Sequence, residues 1–243
     1  MLTGSTVSNN SAASPKGGAT LNNGGEVIIT NTKVNNNTAS EGGGLYCFNG
    51  TMTVSDSTIN NNTAGRIGGI LNIGTMRINN STVNGNTAQQ LYAGIYNGNT
   101  LTLTRSTIDS NRTISTSSDG GGIFNLGTMT MVSSTISNNT AGRGAGINNN
   151  GGINNDRDRL TAINSTISGN RAINQGGGIY SIGGEVNLTN LTIAFNSANE
   201  GGGVFHVGNA NGLFNARNTF LANNTSGSAF APSDFSGVLS SQG

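Results

Sequence analysis

The stretch EGGGLYCFNGTMTVSDSTINNNTA, Glu41 to Ala64, packs a glycine triplet, a Thr-Met-Thr-Val alternation, a Ser-Thr-Ile segment and an asparagine run into 24 residues. Each of these features returns along the chain. The aliphatic residue of the Ser-Thr-Ile type serves as an anchor. It recurs at Val7, Val34, Ile59, Val83, Ile108, Ile136, Ile167, Ile193 and, as a phenylalanine, Phe220, at intervals of 24 to 31 residues. Three positions after every anchor stands an asparagine: Asn10, Asn37, Asn62, Asn86, Asn111, Asn139, Asn170, Asn196 and Asn223. Five positions after it stands a small residue: Ala12, Ala39, Ala64, Ala88, Thr113, Ala141, Ala172, Ala198 and Thr225. Fixed offsets held over nine copies are the signature of a repeat architecture.

Two further registers complete the repeat. A glycine precedes an aliphatic residue at Gly44-Leu45, Gly69-Ile70, Gly94-Ile95, Gly122-Ile123, Gly146-Ile147, Gly178-Ile179 and Gly203-Val204. A third segment alternates with period two, as TMTV from Thr51, TMRI from Thr75, TLTLT from Thr100, TMTM from Thr128 and EVNLT from Glu185. Alternation with β-branched residues predicts strand, and no segment carries a helical period. A unit of about 26 residues with three short strands cannot bury its own apolar face, but stacked copies can. The expected fold is all-β: a single-stranded right-handed parallel β-helix of about nine coils, one domain over residues 1–243. At a spacing of roughly 4.8 Å between paired strands, nine coils make a rod on the order of 40 Å long.

The rows of this rod follow from the offsets. The anchors form one interior row, Leu45 to Val204 a second, and Met52, Met76, Leu101, Met129 and Val186 a third. The asparagines read as a ladder, because an amide stacked on its copies satisfies backbone groups that a buried turn leaves unpaired. Residues that tolerate positive φ precede it at Asn61, Gly85, Asn138 and Gly169. Beside the glycine triplets runs Lys16, Glu41, Arg66, Leu91, Asp119, Arg143, Gln175, Glu200, where opposite charges become neighbours. Such cross-strand pairs contribute ~0.2–1 kcal/mol each.

Composition narrows the function classes. A net charge of +1 without a basic cluster offers no footprint for nucleic acid or an anionic membrane. No apolar run reaches the ~20 residues of a membrane helix, so no membrane insertion by this segment is expected. One cysteine, Cys47, and one histidine, His206, give no metal-ligand spacing and no catalytic triad, so neither a metal nor a cofactor is expected.

The repeats STINNNTAGRIGGILNIGTMRINNSTV, Ser57 to Val83, and STISGNRAINQGGGIYSIGGEVNLTNLTI, Ser165 to Ile193, resemble those of bacterial right-handed β-helix surface proteins. That group has the pectate-lyase-like fold and includes polymorphic outer-membrane and choice-of-anchor types. The tail NTFLANNTSGSAFAPSDFSGVLSSQG, from Asn218, is similar to the closing segment of the choice-of-anchor type, where further coil usually follows. The resemblance implies a fragment of a longer, extracellular or cell-surface protein with a structural or adhesive role. It implies carbohydrate or a neighbouring cell surface as partner, or end-to-end or lateral self-association.

Three places are candidates for a site. The irregular stretch Asn148 to Leu160 lengthens its coil and is expected to protrude, placing Asn154, Asn155, Asp156, Arg157, Asp158 and Arg159 in a binding loop. The bland alternative is a tolerated loop whose acids and arginines neutralise one another. A polysaccharide-cleaving rival would use Asp156 and Asp158, although few acids share a register as a carboxylate pair requires. Thr51, Thr53, Thr75, Thr100, Thr102, Thr104, Thr128, Thr130 and Thr161 form an outward threonine face that suits ice or ordered water, or simply solvent. Cys47 and His206 fall in a second polar row with Asn72, Asn97, Asn125, Asn149 and Ser181, which makes them ladder members rather than reactive groups.

Overall fold

A computed structural model describes residues 1–12, 17–150, 158–208, 213–227 and 231–237. These residues contain strands and turns and no helix, wound into a parallel β-solenoid. They form three sheets, of sixteen, nine and nine strands. One nine-stranded sheet carries the anchors, with Val7 on Val34, Val34 on Ile59 and Ile59 on Val83 in parallel register. Its nine strands mark eight full turns. The other holds the Thr-Ala pairs, such as Thr63–Ala64 on Thr87–Ala88, and ends in an antiparallel pairing of Thr225–Ser226 with Ala231–Pro232. Three sheets per coil agree with three expected strands, but the partition differs. The glycine-aliphatic and alternating segments share the large sheet: they run on as single strands in Thr20–Thr30 and Leu45–Ser55, then separate from Ile70–Asn72 and Thr75–Asn79 onward.

The interior is made of stacked like residues. Ile59, Val83, Ile108, Ile136, Ile167 and Ile193 are fully buried, as are Leu45 to Val204 in the second row and Met52, Met76, Leu101, Met129, Leu160 and Val186 in the third. Burying each such side chain contributes ~1.5–3 kcal/mol. Alternation does the sorting, because successive strand residues face opposite sides. Close approach between coils needs glycine: a Cβ on Gly122 would lie 2.6 Å from the carbonyl oxygen of Gly146 and 3.0 Å from the amide nitrogen of Asn139.

Three polar ladders close the corners. In the first, Asn111 Oδ1 accepts the backbone N–H of Asn86 at 3.0 Å and its Nδ2–H at 2.9 Å. Asn111 Nδ2 in turn donates to Asn139 Oδ1 at 2.9 Å and to the Val83 carbonyl at 3.0 Å. The pattern repeats from Asn10 to Asn224, where Asp234 Oδ1 accepts both the backbone N–H and the Nδ2–H of Asn224. A second ladder was not expected. The backbone N–H groups of Thr32, Ser57, Ser81, Ser106 and Ser134 donate to the serine Oγ one coil on at 3.0–3.2 Å. Those hydroxyls donate to carbonyls two residues back. The third joins Asn72, Asn97, Asn125 and Asn149 through amide bonds of 2.7–2.8 Å.

The last coil corrects the sequence register. Ile193 pairs with Leu221 and Thr192 with Phe220, so Leu221 is the ninth anchor and Phe220 is 63% exposed. The ladder asparagine is accordingly Asn224, not Asn223, and Ser226 replaces Thr225 in the small-residue row. A one-residue slip sends every side chain to the opposite face, and the slimmer leucine takes the inner place.

Each asparagine of the first ladder follows a residue with positive φ, including Ser110 at 54° and Phe195 at 59°. Asparagine and glycine tolerate that region, whereas a bulky ring does not. Phe195 also leaves its ring 66% exposed, so it gains little in return. Phe195→Asn is therefore expected to raise stability by ~1 kcal/mol, read as a higher urea midpoint with unchanged slope. A lower midpoint would show that ring packing outweighs the backbone strain.

Candidate functional site

Aromatic residues are few, at 5% of the chain, and their placement is uneven. The position after the second-row aliphatic points outward on each coil. Register stacks Tyr46, Leu71, Tyr96, Phe124, Asn148, Tyr180 and Phe205 there, over six coil steps or on the order of 30 Å. All four tyrosines of the chain lie in this strip or beside it, with Phe48, Phe124 and Phe205. Elsewhere the outward positions are chiefly threonine, asparagine and serine, so this is one differentiated line along the rod.

The glycine turn explains how the strip is built. Gly120, at φ 61°, folds back so closely that a Cβ there would meet the Phe124 Cβ at 2.6 Å. The turn thus covers the outward ring, which is why Phe124 and Tyr180 are buried although they lie on the outer face. In two coils Ile67 and Tyr92 replace that glycine and add their own side chains to the strip. Tyr92 stacks on Phe124 with centroids 4.0 Å apart, and Tyr96 lies 5.2 Å from Tyr92. Further along, Tyr180 and Phe205 stack at 5.6 Å, with the Arg143 guanidinium 5.6 Å above the Tyr180 ring. Tyr92, Tyr96 and Phe205 keep part of their surface in solvent. Burial, reinforced by the Asp119 charge, pushes the Tyr92 hydroxyl up to about 12, and burial raises Tyr46, Tyr96 and Tyr180 as well. These hydroxyls therefore stay protonated and able to donate.

The charged row forms the strip's rim. Arg66 meets Glu41 at 2.7 Å, Arg143 meets Asp119 in a two-pronged contact at 2.8 and 3.0 Å, and Gln175 donates to Glu200 at 2.8 Å. Lys16, the expected partner of Glu41, lies outside the described residues. Two grooves open on this row. One, of about 240 Å³, is bounded by Glu41, Arg66, Leu71, Tyr92 and Tyr96. The other, of about 550 Å³, is lined by Ser117, Arg143, Asn174, Gln175, Asn199 and Glu200.

The other candidates resolve differently. Asn154, Asn155, Asp156 and Arg157 lie outside the described residues. Arg159 does not neutralise Asp158: it opens the strand Arg159–Ile163 and pairs with Glu185 at 2.8 Å. Asp158 is fully buried, which withdraws it from a protruding loop, and neither carboxyl oxygen has a partner among the described residues. In the third ladder Asn149 Nδ2, Ser181 Oγ and His206 Nδ1 are also without a partner among the described residues. There serine and histidine replace asparagine in register and cannot continue the amide chain. Cys47 occupies the same row, buried, with burial pushing its thiol up, which disfavours the thiolate. The threonine columns stack in register, Thr75 on Thr100 and Thr128, Thr102 on Thr130 and Thr161, interrupted by Arg77 and Arg159.

Sequence reasoning missed the aromatic strip, although its signal was present as the residue after each second-row aliphatic. No family model, curated protein or solved structure matches this chain.

Proposed function

We propose that this chain is a non-enzymatic, adhesive β-helix module whose contact surface is the aromatic strip. The carrying observation is segregation: a solenoid with a Thr/Ser/Asn exterior concentrates its tyrosines along one axial line bounded by two grooves. Aromatic residues at a surface supply large, rigid contact area, and a repeating scaffold presents it over many coils. The acids beside the strip, Glu41, Asp119 and Glu200, are each held by a partner, which suits a rim rather than a pair of catalytic carboxyls. The resemblance of the repeats to bacterial polymorphic outer-membrane and choice-of-anchor proteins supports a cell-surface setting, where such a rod would act as a stalk with an adhesive side.

Flow cytometry of fluorescently labelled protein on intact bacterial and epithelial cells tests this reading. Tyr96→Ala is expected to lower retention at least tenfold, while Thr102→Ala, on the threonine face, leaves it unchanged. Equal retention of both variants and the parent would remove the strip from the adhesive role.

A further inference from the structure

We infer that the rung at Ser181 binds a single ordered water molecule inside the rod, which carries the third ladder across to His206. The row itself sets up the site. Asn72, Asn97 and Asn125 each pass an amide N–H to the oxygen of the following rung at 2.7–2.8 Å, ending at Asn149. Side chains on successive coils of this row therefore come within direct reach of one another. The next two rungs, in parallel register, are Ser181 and His206.

The step at Ser181 breaks that pattern on both sides. Asn149 Oδ1 accepts from Asn125, while Asn149 Nδ2, Ser181 Oγ and His206 Nδ1 are without a partner among the described residues. All three residues are buried, Asn149 and Ser181 completely. In histidine Nδ1 is bonded to Cγ, as Oδ1 is in asparagine, so His206 presents a nitrogen where earlier rungs present an oxygen. Burial lowers its pKa and keeps the ring neutral, which leaves one ring nitrogen to accept. A serine hydroxyl and one water together supply what an amide supplies alone. The water accepts from Asn149 Nδ2–H, donates to His206 Nδ1 and shares a hydrogen bond with Ser181 Oγ.

The polar set selects the occupant. A cation would face the Asn149 N–H, and any ion would have to shed its hydration with no counter-charge among the three side chains. An apolar occupant would leave all three polar atoms unsatisfied. Buried waters typically make about three hydrogen bonds to polar groups of this kind, as many as these side chains offer. The same row also shows an amide replaced without help. At Cys47 the larger sulfur accepts from Asn22 Nδ2 at 3.9 Å and donates to the Gly50 carbonyl at 3.8 Å. The smaller oxygen of Ser181 makes neither kind of contact among the described residues.

A crystal structure of the full chain, at a resolution that shows ordered solvent, tests the inference directly. The expected result is one water within about 3.2 Å of Asn149 Nδ2, Ser181 Oγ and His206 Nδ1. An interior without solvent density at this rung overturns the inference. Urea titration gives an independent reading through the sign of one substitution. If Ser181 Oγ anchors a water, Ser181→Ala removes one of that water's partners, and the midpoint should fall by roughly 0.3–0.5 M. If the hydroxyl is instead buried with nothing bound to it, alanine relieves it and the midpoint rises, which overturns the inference. Ser181→Asn should take the water's place by restoring direct amide contacts to Asn149 and His206, with a midpoint no lower than the parent's. A midpoint well below the parent's would mean that the rung has no room for an amide, and so none for a hydroxyl and a water together.

Discussion

Asn111→Ala is expected to lower stability by ~3–5 kcal/mol, enough to abolish folding of the central coils near the melting temperature. The reason is the number of buried groups that one amide serves. Removing it strands the backbone N–H of Asn86 and one of that residue's two side-chain N–H groups, and it deprives the Val83 carbonyl of a donor, while Asn139 Oδ1 keeps the backbone N–H of residue 111. Each buried group left unpaired costs about 1–3 kcal/mol, and the Asn111 site is fully buried, so water cannot substitute. Nearest-neighbour coupling then transmits the loss, because each coil is held mainly by the two that flank it. Urea titration against Thr102→Ala, an outward substitution expected to change stability by less than ~0.5 kcal/mol, isolates the effect. A loss below ~1 kcal/mol for Asn111→Ala would show that the ladder is decoration on a core that holds by itself.

The second large effect belongs to Asp158. Burial without a hydrogen bond pushes its carboxyl up to about 7. An ordinary aspartate titrates near ~3.9, so between these values the unfolded chain releases a proton that the folded chain keeps. Stability contributed by the neutral carboxyl is therefore full below about pH 4 and declines as pH rises through about 7, by as much as ~4 kcal/mol. Asp158→Asn removes that slope, so the variant should exceed the parent in urea midpoint at pH 8 and match it near pH 4. His206 acts in the opposite sense. Its burial lowers the imidazole pKa, so its contribution is lost as pH falls below ~6.5 in both proteins. The difference between variant and parent therefore isolates the carboxyl, and a difference that does not vary with pH would mean that Asp158 is ionised in the folded rod.

The anchors, the first asparagine ladder and the second-row aliphatics were legible because strict offsets survive in the sequence even where identities drift. The serine ladder is equally regular, yet Ser57 to Ser165 stand inside the Ser-Thr-Ile segments, where a hydroxyl carries no strong pattern signal of its own. Phe220 and Leu221 stand side by side, as do Asn223 and Asn224, and composition cannot choose between two adjacent registers. The choice depends on whether a phenyl ring fits the inner row. The strip was hidden for a different reason: a ring at an outward position reads as exposed until the Gly120-type turn is seen to fold over it. Asp158 was the least legible, since its burial depends on a corner formed by residues distant in the chain.

The asparagine ladder has a consequence beyond satisfying turns. Every rung passes its backbone N–H and one side-chain N–H to the amide oxygen of the coil that follows, while its second side-chain N–H turns back to a carbonyl of the preceding coil. The chain of amide oxygens and forward-pointing N–H groups thus has a direction along the rod, and its last donors emerge at Asn224. The acceptor waiting there is the carboxylate of Asp234, in the position an acidic residue takes at the start of a helix. The ladder of this solenoid thus has two unlike ends, and a carboxylate closes the one that presents N–H groups.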